Sequence, residues 1–216
     1  MASSASTCVY DIFINHRGPD SKKTLATHMY DRLSKHDLRV FLDQRELQEG
    51  DPFPSQIEGA IRTASVHIAI FSPRYAESIW CLKELVLMLE SNKTIIPVFY
   101  GVQPSELRWT QRETGLYDTV LRMFPWVRTM LCRTRDENGV YARSLSYLQE
   151  KKTIDSQTGQ KKPRYDSNII AKWREALSHV ANISGFDRET YNGYDYELQL
   201  LLLVLALICC IYVIYD

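Results

Sequence analysis

The sequence predicts an α/β protein in which a parallel sheet of four or five strands carries helices on both faces. Two observations support this. Apolar strand candidates alternate with helical periodicities along residues 9–186. The third and fourth candidates, "VHIAIF" (66–71) and "TIIPVFY" (94–100), are nearly unbroken apolar runs, as strands covered on both faces must be. The strand order expected for such an alternation is the flavodoxin-like 2-1-3-4-5.

Each element has its own signal. Residues 1–8 are mostly small and polar and are expected to be disordered. "VYDIFI" (9–14) reads as strand one. Gly18-Pro19-Asp20 is a turn, and Asp20 or Ser21 can cap a helix whose apolar face is Leu25, Met29 and Leu33. "RVFL" (39–42) is strand two, and "DQRELQEGDPFP" (43–54) is a charged loop with Gly50 as its hinge. Ile57, Ala60, Ile61 and Ala64 mark helix two. The helix after strand three presents Leu82, Leu85, Val86 and Leu89 as its inward stripe. Glu84 then lies about 150° from the middle of that stripe, on an outer face shared with Trp80, Leu87 and Met88. Past strand four, residues 115–124 read as a helix. Residues 128–166 are irregular, with a helix near 140–151 and basic doublets at 151–152 and 161–162 in solvated loop. Ser167 or Asn168 caps a last helix through Ala181, with Trp173, Ala176, Leu177 and Val180 inward and Gly185 ending it. One domain over 9–186, a linker over 187–197 and an apolar tail over 198–215 complete the division.

Composition removes several function classes. Lys plus Arg and Asp plus Glu number 26 each, which argues against a nucleic-acid partner. The five cysteines (Cys8, Cys81, Cys132, Cys209, Cys210) include no C-x-x-C pair, and no signal peptide precedes them, so a reducing cytosol is expected. The five histidines have no metal-ligand spacing, and no metal site is expected. Neither standard glycine-rich phosphate loop is present.

In a sheet of this order, ligands bind beyond the carboxyl ends of strands one and three. Strand one runs into "NHRG" (15–18) and strand three into "SPRY" (72–75), which leads on to Trp80, Cys81 and Glu84. Convergence at this crevice raises Glu84 above an ordinary surface acid beside Lys83. Plainer readings stand beside the functional ones. Arg17 can pair with Asp20, Trp80 can be a packing residue, Asp43 can be a turn residue, and Cys81 reads as a small buried hydrophobe.

The segments "YDIFINHRGPDSKKTLATHMYDRL" (10–33), "FLDQRELQEGDPF" (41–53), "FSPRYAESIWCLKEL" (71–85), "IIPVFYGVQPSELR" (95–108) and "WREALSHVANISGF" (173–186) resemble the plant TIR (Toll/interleukin-1 receptor) domain. With no P-loop module and no leucine-rich repeats in the sequence, the resemblance is to TIR-only proteins. It implies an enzyme that cleaves the nicotinamide–ribose bond of NAD+, giving nicotinamide plus ADP-ribose or cyclic ADP-ribose variants as signals in plant innate immunity and cell death. NAD+ is then the substrate and no cofactor is expected. The resemblance carries the catalytic role onto Glu84 and substrate binding onto His16, Arg17, Gly18, Asp43, Ser72 and Trp80. Asn15-His16 stand where the family start reads Ser-Phe, so the aromatic contact there falls to a histidine. Thr27 and His28 match a TIR–TIR contact on the first helix, and the 43–54 loop matches one that packs against the next protomer's site. The implied partners are further copies of the chain and other TIR immune proteins. Because Glu84 is placed outward, replacing it is expected to leave stability nearly unchanged.

The rival reading is a TIR–TIR adaptor without catalysis; retention of the glutamate in W-C-L-x-E favours the enzyme. Residues 200–214 are fifteen consecutive apolar residues. The 198–215 run reads as a C-terminal membrane anchor with the domain facing the cytosol, or alternatively as an element packed on the domain.

Overall fold

The computed structural model describes residues 10–21, 25–43, 53–108, 139–154 and 159–187. In chain order these form β1 (Ile12–His16), α1 (Gly18–Ser21), α2 (Leu25–Ser34), β2 (Val40–Leu42), α3 (Ser55–Thr63), β3 (Val66–Phe71), a 3-10 turn (Tyr75–Glu77), α4 (Ile79–Glu90), β4 (Thr94–Phe99), α5 (Pro104–Arg108), α6 (Val140–Glu150), β5 (Lys152–Ile154), β6 (Lys161–Pro163), α7 (Ser167–Val180) and β7 (Phe186–Asp187). The expected helix at 115–124, the Gly50 hinge and the apolar tail lie outside the described residues. Among the described residues no helix is long and apolar enough to cross a membrane. The chain divides into two compact units, with boundaries after Val102 and after Asn182.

The first unit holds a five-stranded parallel sheet in the order β2-β1-β3-β4-β7, the expected 2-1-3-4-5 arrangement. Strand alternation sorts its side chains. Ile12 and Ile14 join Val40, Val66, Ile68, Ile70, Ile96 and Val98 in one core, closed by Leu25, Ala26, Met29 and Leu33 of α2. Phe13 points the other way, stacked on Phe41 at 5.5 Å between ring centroids and edge-on to His67 at 6.0 Å. Asn15 has the parity of Phe13.

Four local expectations are corrected. Strand β1 extends to His16, where 9–14 was expected, because Asn15 and His16 continue the ladder opposite Ala69 and Ile70. In α4 the buried residues are Ile79, Trp80, Cys81, Leu82, Glu84, Leu85 and Met88, while Val86 and Leu89 are half-buried. The helix turns Cys81, Glu84, Leu85 and Met88 inward together, a stripe rotated from the expected one, and Glu84 is buried. Gly185 does not end the last helix. α7 ends at Val180, and Gly185 leads into β7, where a Cβ would sit 2.6 Å from the Pro97 carbonyl oxygen. Only glycine lets the edge strand come that close to β4. The cap of α7 is Asp166, one residue before the expected pair, accepting from the Asn168 amide at 2.8 Å.

The second unit contains α5, α6 and α7. Leu107, Tyr141, Leu145, Leu148, Ile170, Trp173, Ala176, Leu177 and Val180 are buried. The four inward residues expected of the last helix are among them. The segment read as solvated loop forms an antiparallel β5–β6 hairpin whose lysines are nonetheless exposed.

His67 is fully buried in β3, and its Nε2 donates to the Ile61 carbonyl at 2.8 Å. Burial is the main reason its pKa falls from 6.5 to about 4. The bond to Ile61 opposes the fall and Lys93 adds to it. The folded state binds a proton less readily than the unfolded chain. The stability that neutral His67 contributes is therefore complete above pH 6.5 and lost as pH falls towards 4. Urea unfolding should show a loss of about 3 kcal/mol from this group across that window, and His67→Gln should flatten the profile there. An unchanged profile in the variant would assign acid sensitivity to other groups.

Candidate active site

Three short segments build the site at the carboxyl ends of β1 and β3. Asn15 comes from β1, Tyr75 from the 3-10 turn after β3, and Glu84 from the second turn of α4. Helix α4 starts where it does because the Ser78 hydroxyl accepts from the Cys81 amide at 3.3 Å, capping the first turn. Asn15 is fully buried and donates through Nδ2 to Glu84 Oε2 at 2.7 Å. The Tyr75 hydroxyl donates to Asn15 Oδ1 at 2.5 Å and has the Cys81 carbonyl 3.1 Å away as a second acceptor.

Glu84 is 6% exposed. Burial raises its pKa from 4.5 to about 8, Asn15's hydrogen bond pulls it back down, and the Asp43 carboxylate adds a smaller upward push. Asp43, placed at the end of β2, is thus within electrostatic reach of Glu84. Cys81 is buried, its thiol donating to the His16 carbonyl at 3.4 Å. Burial first, then the nearby Glu84, push that thiol far above the usual range, so it stays a protonated thiol and a packing group, as expected.

Trp80 precedes Glu84 by one turn and is 7% exposed. Its ring stacks on Phe53 at 5.8 Å, and Lys83 Nζ lies 4.5 Å from the ring centroid. Its indole nitrogen has no hydrogen-bond partner among the described residues.

Charged links join the same strand ends. Arg17 Nη1 donates to Asp20 Oδ1 at 2.7 Å and Nη2 to Glu77 Oε2 at 3.2 Å. The buried Ser72 hydroxyl donates to Asp20 Oδ2 at 2.7 Å. The plainer reading of Arg17 as a partner of Asp20 therefore holds, and Asp20 binds Arg17 and Ser72. Gly18 opens the single turn of α1.

His16 departs from the aromatic role given to it. It pairs with Ile70, whose side chain belongs to the α2-side core, so alternation sends the imidazole to the sheet face opposite Asn15. The group β1 offers to Glu84 is Asn15. Thr27 is half-buried and His28 exposed on α2, across the sheet from α4, and His28 Nε2 accepts from Arg32 Nε at 3.2 Å. Sequence reasoning passed over Asn15 and Tyr75 as site residues. The available signal was a polar side chain of inward parity at the end of an apolar strand. Among the described residues no cluster of His, Cys, Asp and Glu could hold a metal ion.

A parallel sheet in this order, with a carboxylate buried beyond strands one and three, defines an α/β domain with its site at the topological switch point. The chain belongs to the TIR domain family, whose family model matches residues 9–119. It is 47% identical over 107 residues to the probable 2′ cyclic ADP-D-ribose synthase BdTIR of Brachypodium distachyon, covering 50% of this chain and 48% of that protein. It is 38% identical over 117 residues to the TMV resistance protein N of Nicotiana glutinosa, covering 52% of this chain and 10% of that protein. The chain thus spans less than two thirds of these curated relatives. Among solved structures it matches the TIR domains of the activated Roq1 resistosome, which directly recognises the pathogen effector XopQ. There the TM-score is 0.64 and identity 31%, over 91% of this chain and 98% of that one.

The expectation that replacing Glu84 leaves stability unchanged is corrected by its burial. The folded state keeps a proton that the unfolded chain releases near pH 4.5. The stability held by this group is complete below that pH and lost as pH rises towards 8. Glu84→Gln still accepts from Asn15 but carries no charge. The variant should match the parent near pH 4.5 and exceed it at pH 8 by roughly 4 kcal/mol in urea unfolding. A variant less stable at pH 8 would contradict this account of the buried acid.

Proposed function

We propose that the chain cleaves NAD+ between nicotinamide and ribose, releasing nicotinamide and ADP-ribose or a cyclic variant as a signal in plant immunity and cell death. The observation that carries this reading is Glu84, buried beyond β1 and β3 and held by Asn15. The name of the BdTIR relative, a cyclic ADP-ribose synthase, supports it.

The chemistry suits one carboxylate. Ordinary glycosidases need a second one to protonate a poor leaving group. In NAD+ the leaving group is already a cationic pyridinium. When the C1′–N bond breaks, its electron pair neutralises the ring, and positive charge develops on the ribose. A fixed carboxylate beside C1′ stabilises that oxocarbenium character. Water or a nucleophilic group of the same molecule then bonds to C1′, giving the linear or the cyclic product. NAD+ enters as substrate. Asp43, Ser72, Trp80, Arg17 and Gly18 are the proposed binding residues, with Arg17 offering a charge partly taken up by Asp20 and Glu77.

The working form of Glu84 is the anion, and in the free protein its pKa is about 8. Hence kcat/KM, which reports the free protein, should rise about tenfold per pH unit below 8 and level off above it. Glu84→Gln should lower nicotinamide release roughly 10²–10³-fold. Wild-type release by this variant would remove the enzyme reading and leave the TIR–TIR adaptor in its place.

Assembly is the second part of the proposal. Thr27 and His28 sit on the helix across the sheet from Glu84, so a second copy packed there would not cover the site. His28→Ala should lower activity per molecule while leaving unfolding unchanged, and the parent's specific activity should rise with protein concentration. Activity independent of both would rule out a shared site.

A further inference from the structure

We propose that Asn15, oriented by the Tyr75 hydroxyl, is the residue that positions Glu84 and holds it in its reacting form; this rests on the reading of Glu84 given above. An asparagine amide presents two donor hydrogens on one side and an acceptor on the other, and either side can face a carboxyl group. Here its polarity is set from behind. The Tyr75 phenol donates its hydrogen to Asn15 Oδ1 at 2.5 Å, which commits Nδ2 to Glu84 Oε2 at 2.7 Å. A donor aimed at the carboxyl favours the anion. With the amide reversed, Oδ1 would accept from a protonated Glu84 and favour the acid instead. Tyr75 has somewhere to go in that case, since the Cys81 carbonyl lies 3.1 Å from its oxygen. The phenol hydrogen on Oδ1 thus biases the amide toward the one direction that serves a carboxylate that must carry charge.

Among the described residues the surroundings leave this work to Asn15. Of the described residues, those facing Glu84 are Asp43 from the end of β2, Asn15 from β1 with Tyr75 of the 3-10 turn behind it, and Cys81 on its own helix, whose thiol is protonated. Arg17, past the end of β1, pairs with Asp20 and Glu77. On α3, which packs against α4, Glu58 and Arg62 pair with each other at 2.8 Å. Of the influences on the Glu84 carboxyl, burial and Asp43 oppose its charge and the Asn15 amide favours it.

The test follows nicotinamide release from NAD+ as a function of pH in the full chain and its Asn15→Leu, Tyr75→Phe and Glu84→Gln variants. Asn15→Leu keeps the volume and removes the donor. Tyr75→Phe leaves the amide free to reverse. Both should move the rising limb of kcat/KM to higher pH by about one unit or more. Both should lower kcat at pH 7 roughly tenfold, with KM for NAD+ changed little. If Glu84→Gln is inactive while the other two keep the parent's pH limb, the positioning role is overturned and the enzyme reading stands. If Glu84→Gln is fully active, both fall together. Should Asn15→Leu fail to fold, Tyr75→Phe decides alone: a raised limb supports the proposal and an unmoved one overturns it.

Discussion

The hydrogen bond from Asn15 to Glu84 is the constraint around which the first unit is arranged. A carboxylate in an apolar interior carries a desolvation penalty of several kcal/mol. One hydrogen bond to a charged acceptor returns about 1.5–3 kcal/mol. The remainder appears as proton uptake, which is why the Glu84 pKa sits near 8 with Asn15 in place. Such a group persists only where the framework is stable enough to hold it. The continuous apolar runs of β3 and β4, buried from Val66 to Phe71 and from Ile95 to Phe99, supply that framework. Its position is a property of the whole parallel sheet, not of α4 alone.

Topology decides which groups can surround it. Because β1 lies between β2 and β3, the chain leaves β1 and β3 in opposite directions and opens a crevice at their carboxyl ends. Ser72 and Asp20, 52 residues apart, close one side of it with a 2.7 Å hydrogen bond, and Arg17 with Glu77, 60 residues apart, adds an ion pair. Asp43 brings a further acid from the end of β2. The Asp20 and Glu77 carboxylates are taken up by Arg17, so of these acids Asp43 is the one whose charge reaches Glu84.

How much of this was legible in the sequence follows from where apolar patterning is informative. Strand order and the burial of β3 and β4 were readable because unbroken apolar runs of that length have few alternatives. The existence of α4 was readable as well. Its rotation was not. In "IWCLKELVLMLE" apolar residues lie on every side, so periodicity cannot fix the phase, and taking Leu82, Leu85, Val86 and Leu89 as the inward stripe chose the wrong one. The same habit ended β1 too early, since Asn15 and His16 are polar yet buried and paired with β3. Gly185 was misread for a different reason. Its requirement is a close approach to Pro97, a contact between residues distant in sequence that no local pattern encodes.

The site then depends on register. A shift of β1 by one residue would exchange the two sheet faces, presenting His16 to α4 and sending Asn15 into the α2-side core. The opposite end of the strand prevents this. The Asp11 carboxylate accepts from the Arg39 amide at 2.7 Å, from Arg39 Nη2 at 2.9 Å and from Arg39 Nε at 3.2 Å. Its carbonyl accepts from the Ser65 and Val66 amides at 3.2 Å and 3.1 Å. One residue is therefore bound to the starts of both neighbouring strands. The 3% exposure of Asp11 makes those bonds costly to leave unmade, so a slipped strand would strand a buried charge. Four residues further along, the same register delivers Asn15 opposite Ala69, whose small side chain leaves room for the amide to reach across to Glu84. The position of Glu84 is thus fixed at both ends of β1: by Asp11 where the strand begins, and by Asn15 where it meets the crevice.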